Sequence, residues 1–221
     1  MPLKSYSFSV IGSREMNQDS LLADEEKGLF AVADGVGGGL RGEIASSMAV
    51  EGLKLYASPM GSLAPAIQKL QEDILKEAME SLGDALMGTT LTAVRVRGTE
   101  ATLGHIGDSR LYLFTESHLK LLTEDHESFD EGMGGPVLSS YLGMPSDIHP
   151  MRIQNEVFAV TPGDRLLLCS DGLYRQMTET RISQLIQVHF RQPQEMLAAM
   201  CAEASASEFS DNVTIVYVEI D

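Results

Sequence analysis

Residues 17–39 read NQDSLLADEEKGLFAVADGVGGG, and the fold becomes legible there. Two short apolar runs, 20–23 and 29–33, flank the polar, glycine-closed segment Asp24-Glu25-Glu26-Lys27-Gly28, which predicts a β-hairpin. The midpoint between Asp19 and Asp34 falls inside that turn. Antiparallel pairing therefore sets these two carboxylates opposite each other, at the open end of the hairpin.

Outward from the hairpin, residues 6–12 alternate as a half-buried strand does. Helices are predicted over 42–57 and 65–86, separated by Ser58-Pro59-Met60-Gly61; the second carries Ile67, Leu70, Ile74, Leu75, Ala78, Met79 and Leu82 as one stripe. Strands follow at 89–97, 100–106, 110–114 and 118–122, then a loop rich in glycine and acidic residues from about 124 to 137. Further strands are expected at about 152–160 and 164–170, the latter entered through the turn Pro162-Gly163-Asp164. Helices fit 179–190 and 193–206, the second opened by Pro193, and a strand at 213–220 completes the series. Strands come in runs and helices in pairs, which predicts an α+β fold of antiparallel sheets and not a doubly wound parallel sheet.

The bulk numbers set outer bounds. A chain of 221 residues suits one domain, or at most two small ones, 43% hydrophobic and 22% charged content is ordinary for a globular protein, and the two cysteines are too few for a disulfide framework. Cys169, in the run LLLC, reads as a small buried hydrophobe in a reduced, cytoplasmic protein. The opening MPLKSYSFSV has no continuous apolar stretch, and no run of about 18 apolar residues occurs, so neither export nor a membrane is expected. The net charge of −16 repels phosphate-rich polymers and excludes nucleic acid as a partner.

The aspartates carry the chemistry. Asp19, Asp34, Asp108, Asp171 and Asp211 all fall at the ends of apolar runs, beside small residues. If the strands on either side of Asp171 and Asp211 are antiparallel neighbours, both carboxylates reach one sheet edge. Asp108, in the turn between 100–106 and 110–114, reaches it too. Gathered carboxylates repel one another and resist desolvation, and cations are the usual remedy. An all-oxygen set points to hard ions, Mg²⁺, Mn²⁺ or Ca²⁺. The histidines at 105, 118, 126, 149 and 189 are scattered without ligand spacing and read as structural.

Taken in order, Arg14-x-x-Asn17-Gln18-Asp19, Ala33-Asp34-Gly35-x-Gly37-Gly38, Gly42-Glu43-x-Ala45-Ser46, Gly88-Thr89-Thr90, Gly107-Asp108-Ser109-Arg110, Leu122-Thr123-x-Asp125-His126, the segment Gly163–Leu173 with Ser170-Asp171-Gly172, and Asp211-Asn212-x-Thr214 resemble the metal-dependent protein phosphatase family, the type 2C serine/threonine phosphatases in their short bacterial form. The resemblance spans about 14 to 214. It implies a four-layer αββα sandwich, two antiparallel sheets flanked by helical pairs, as a single catalytic domain over 1–221. It also implies Mg²⁺- or Mn²⁺-dependent hydrolysis of phosphoserine and phosphothreonine by a metal-activated water, without a phosphoenzyme. Asp34 would bridge two ions, the Gly35 carbonyl would help hold the second, and Asp171 and Asp211 would bind the first. Asp19, and Gln18 in its way, would act through metal-bound water, and Asp108 with Asp171 matches a weaker third position. Arg14 is the expected phosphate clamp, since a guanidinium offers a charged fork to two oxygens; its blander reading is an ion pair with one of the many acids. The implied partners are phosphorylated proteins, a serine/threonine kinase and its substrates, engaged by a monomer.

Four departures matter. Gln18 stands where many members carry Glu, which predicts weaker affinity for the second ion. Val36 takes the position of a histidine proposed as general acid in animal members, and Gly39 replaces a residue that is often His in bacterial ones. The flap segment, 127–139, looks short and glycine-rich, leaving the centre open to bulky phosphoproteins. The alternatives are a pseudophosphatase that binds phosphoproteins or a regulatory partner, and an unrelated Ca²⁺-binding domain. Asp34, Asp171 and Asp211 argue against the first, and the lack of a twelve-residue ligand loop against the second.

Overall fold

The computed structural model describes residues 1–36, 41–82, 87–116, 118–132, 134–145 and 150–221. Its elements are β1 (Leu3–Val10), β2 (Asp19–Asp24), β3 (Leu29–Asp34), α1 (Gly42–Tyr56), α2 (Ala64–Leu82), β4 (Leu91–Arg97), β5 (Glu100–Ile106), β6 (Arg110–Thr115) and β7 (His118–Leu121). They continue with β8 (Glu127–Asp130), β9 (Gly135–Leu138), β10 (Gln154–Ala159), β11 (Arg165–Cys169), α3 (Asp171–Tyr174), α4 (Glu179–His189), α5 (Pro193–Ala204) and β12 (Val213–Ile220). Two five-stranded antiparallel sheets result, ordered β1-β12-β11-β6-β7 and β10-β5-β4-β3-β2, with β8 and β9 as a separate hairpin.

The period-2 pattern of the strands builds three apolar layers. In β3, Leu29, Ala31 and Ala33 face α1 and α2, while Phe30 and Val32 face the other sheet. In β11, Leu167 and Cys169 meet α4 and α5, while Leu166 and Leu168 enter the space between the sheets; in β12, Ile215 and Tyr217 alternate with Val216 and Val218 in the same way. A sheet buried on both faces needs cover on both, and this one is covered by helices outside and a second sheet inside. The αββα sandwich expected from the sequence is thus the observed architecture.

The helices follow their stripes. Ala45, Ala49 and Leu53 are buried along α1, which ends where the Ala57 N–H bonds the Leu53 carbonyl ahead of Ser58-Pro59. In α2, Ile67, Leu70, Ile74 and Ala78 are buried as expected, but Met79 is 73% exposed and does not join them. Leu75, also on the predicted stripe, is half-buried, while the Leu82 side chain and residues 83–86 of the predicted helix lie outside what is described. Two further corrections concern length. The segment read as a loop over 124–137 contains the β8–β9 hairpin, turning at Asp130, where the carboxylate accepts from the Gly132 N–H at 2.7 Å. Asp171 does not end a strand; it opens the single-turn helix α3.

Candidate metal centre

The hairpin register places Asp19 directly across from Asp34. The Asp34 backbone is pinned: its N–H donates to the Thr90 hydroxyl at 3.0 Å, and its carbonyl accepts from the Thr90 N–H and the Thr89 hydroxyl, both at 2.8 Å. Gly35 then packs against the start of α1 so closely that a Cβ there would lie 2.5 Å from the Gly42 carbonyl. From the other sheet, β11 and β12 pair antiparallel and deliver Asp171 and Asp211 to the same end. Their approach depends on Gly172, where a Cβ would meet the Asn212 carbonyl oxygen at 2.0 Å. Asn212 also organises the preceding loop, accepting from the Gln18 N–H at 2.8 Å and donating to the carbonyls of Ile11 and Met16 at 2.8 and 3.1 Å.

These residues converge on a cleft of about 570 Å³. Arg14, Gln18, Asp34, Gly35, Asp108, Asp171 and Asp211 all line it. Asp19 stands behind, its Oδ2 accepting from the Ser170 hydroxyl at 2.8 Å. Its Oδ1 is buried without a hydrogen-bond partner, an arrangement that costs stability unless a cation or an ion-bound water completes it.

The carboxylates feel one another. Burial, then Asp19, Asp171, Asp108 and Asp211, holds the Asp34 carboxyl well above the usual range. Burial pushes Asp19 up to about 6 against the hydrogen bonds it accepts. Burial and the charge of Asp171 push Asp108 up to about 7, with Arg175 opposing. Asp171 is likewise raised by burial, opposed by Arg175 and reinforced by Asp211. Such a set of crowded acids with an orphaned oxygen fits hard divalent cations and fits no thiol- or imidazole-loving metal.

Two arginines offset part of this charge. Arg14 Nη2 sits 2.5 Å from Asp211 Oδ2, so the ion pair expected as its blander reading is present at the mouth of the cleft. Arg175, at the end of α3, donates from Nε to Asp171 at 2.7 Å and from Nη2 to Asp108 at 3.1 Å and Glu127 at 2.5 Å. With Asp211, Asp171 and Asp108 turned to guanidinium groups, no three Asp, Glu, His or Cys side chains among the described residues are already gathered tightly enough to enclose an ion. Each guanidinium takes one oxygen of its partner, Oδ2 of Asp171 and Oδ2 of Asp211, and leaves the other carboxylate oxygen for an ion.

The sequence reading missed Arg175 and Glu127. Arg175 is four residues after Asp171, the spacing of a helical ion pair, and recognising α3 would have exposed it. Glu43 was quoted without a role; it lines the cleft and accepts from Gln18 Nε2 at 3.2 Å, placing a carboxylate beside the neutral amide. Val36 lines the cleft as well. Gly37, Gly38, Gly39 and His149 lie outside the described residues. His105 and His126 pack in the interior with centroids 4.8 Å apart and rings tilted by 47°, hydrogen-bonded to backbone and Thr92. Cys169 is buried and free, its thiol raised by burial. No helix among the described residues is long and apolar enough to cross a membrane.

Comparisons with known proteins bear on the family and the fold. The sequence model for protein phosphatase 2C matches residues 9–208. The serine/threonine phosphatase stp of Listeria monocytogenes is 30% identical over 235 residues, covering 94% of this chain and 92% of the relative. The crystal structure of the Mycobacterium tuberculosis serine/threonine phosphatase PstP/Ppp superposes with a TM-score of 0.86 at 28% identity, covering 99% of both chains. The catalytic domain of PstP in complex with two manganese ions gives a TM-score of 0.84 at 28% identity over 99% of both chains.

Proposed function

This chain belongs to the protein phosphatase 2C family and is a metal-dependent protein serine/threonine phosphatase, and from that premise we propose that it hydrolyses phosphoserine and phosphothreonine in one step, by direct attack of water without a phosphoenzyme. The observation that carries the reading is the convergence of Asp34, Asp108, Asp171 and Asp211 on one cleft, with the buried Asp19 and its unpartnered Oδ1 behind them.

Two Mn²⁺ or Mg²⁺ ions, when bound, supply a water of lowered pKa and shield the phosphoryl oxygens. Asp34 would bridge them, the Gly35 carbonyl would serve the second ion, and Asp171 and Asp211 the first. Asp19 would act from behind through ion-bound water, with its Oδ2 fixed by Ser170. Gln18 orients without contributing charge, and Glu43 beside it supplies the missing negative charge. The Asp108–Asp171 position, which the resemblance matches to a third ion, is met by the Arg175 guanidinium. Arg14, released from Asp211, clamps the phosphate, since its fork donates to two oxygens. Val36 offers no proton to the leaving alkoxide. The partners are phosphorylated proteins, a serine/threonine kinase and its substrates, engaged by a monomer. The net charge of −16 steers it to phosphosites in basic surroundings.

The test is phosphate release from a phosphothreonine peptide with and without Mn²⁺, beside Asp171→Ala. Outer ligands to a metal are commonly worth 10–100-fold, so loss of a direct ligand lowers turnover by roughly 100-fold or more. No Mn²⁺-dependent turnover by a folded protein that still binds the peptide would sink the catalytic reading and leave a phosphoprotein-binding one.

A further inference from the structure

Asp108 and Asp171, the pair that matches a third-ion position, already share a cation. Arg175 Nε meets Asp171 at 2.7 Å, and Nη2 meets both Asp108, at 3.1 Å, and Glu127, at 2.5 Å. The two hydrogens of Nη2 are thus spoken for, one by each acid. The guanidinium is not free to wander. Its own backbone N–H bonds the Asp171 carbonyl at 3.0 Å, and the neighbouring Tyr174 hydroxyl donates to the Asp108 carbonyl at 3.1 Å. The Tyr174 ring is faced by Arg110, 3.6 Å from its centroid, and Arg110 in turn holds Asp125 with a fork of bonds at 2.6 to 3.2 Å. A single helical turn therefore delivers a fixed positive charge to the point where Asp108 and Asp171 converge.

Resting on the metal-centre reading above, we propose that Arg175 is the resident cation of the Asp108–Asp171 position: it excludes a third divalent ion and, through Glu127, latches the β8–β9 flap to α3. Exclusion follows from charge and space together. An ion bound by both carboxylates would have to break both of their bonds to Arg175, then sit beside the displaced guanidinium. Latching follows from sequence position. Glu127 is the first residue of β8, and the flap it begins ends at Leu138, which lines the cleft. One side chain thereby joins the turn before β6, the start of α3 and the root of the flap. The wild-type centre is a two-ion centre with a tethered flap.

The experiment counts ions directly. Wild type, Arg175→Met, Arg175→Lys and Glu127→Gln are dialysed to equilibrium against Mn²⁺ rising into the millimolar range, and bound metal is measured by mass spectrometry. Amide hydrogen exchange follows residues 127–138 in the same samples. Two ions are expected on the wild type and three on Arg175→Met, because removing the guanidinium leaves three neighbouring carboxylates without a counter-charge. Arg175→Lys keeps the charge and stays at two, which guards against misreading a merely disturbed fold. Glu127→Gln also stays at two, but its flap exchanges several-fold faster, as does that of Arg175→Met. Three ions on the wild type, or two on a folded Arg175→Met, overturns the exclusion. Unchanged flap exchange in both Arg175→Met and Glu127→Gln overturns the latch. No bound Mn²⁺ on any of the four proteins overturns the metal centre itself, and is distinguishable from both.

Discussion

His105 is the place where pH reaches into the fold without touching the proposed ligands. It is fully buried on β5, with Nδ1 2.8 Å from the Thr92 hydroxyl and Nε2 3.1 Å from the Glu124 carbonyl. Burial and the neighbouring His126 lower its pKa from 6.5 to about 3. The sign follows from linkage. A depressed folded-state pKa means that below pH 6.5 the unfolded chain takes up a proton the folded chain refuses, so stability falls with acidification. Going from about pH 7.5 to about pH 5 crosses roughly 1.5 units below the unfolded value, at 1.36 kcal/mol per unit, or about 2 kcal/mol. That figure holds for any folded value well under 5, so it does not hang on the depth of the shift. The perturbation is His105→Asn, compared with wild type by urea unfolding in chelator at both pH values. Lost packing costs the variant stability at each pH alike, and the site carboxylates titrate in both proteins, so both contributions cancel in the difference. Wild type is expected to lose about 2 kcal/mol more than the variant on acidification. Equal losses would refute the claim that this imidazole is held neutral.

Other outcomes follow from the same geometry. Gly172→Ala drives a Cβ to within 2.0 Å of the Asn212 carbonyl, and is expected to cost about 1–3 kcal/mol by chemical denaturation together with loss of metal-dependent activity. Raising pH from about 5.5 to about 7.5 strips protons from Asp19 and Asp108, which stand at about 6 and about 7, so Mn²⁺ binding tightens and releases protons near pH 6. Calorimetry in buffers of different ionisation enthalpy reads both, and a pH-independent affinity would contradict the assignment. Gln18→Glu adds a carboxylate beside Glu43 and is expected to tighten one Mn²⁺ site while leaving the other, a result an unchanged titration would exclude.

Much of this was legible because strands report on two faces at once. The Asp19–Asp34 register was set by a five-residue turn between two apolar runs, and the pairing places the two residues opposite each other. The strands at 100–106 and 213–220 were bounded by turn residues and came out at those limits. What escaped detection is what lacks periodicity. Helix α3 is only four residues long, too short to show a stripe, and with it Arg175 went unseen. The flap hairpin was hidden because β8 and β9 are four residues each, with Phe129 at 72% exposure, so no buried face patterned them. Met79 misled in the opposite direction, an apolar residue at helical spacing that the fold leaves in water.

The five aspartates do not come from one layer. Asp19 and Asp34 sit on one sheet, Asp171 and Asp211 at the edge of the other, and Asp108 in the turn where β5 of the first passes to β6 of the second. Ions held by this set would rivet the sandwich at one end and so be sensitive to the gap between its sheets. Leu166, Leu168, Val216 and Val218 set that gap from within. A methyl group lost there, far from any oxygen ligand, would register as a change in metal affinity, so the centre acts as a caliper on the packing between its two sheets.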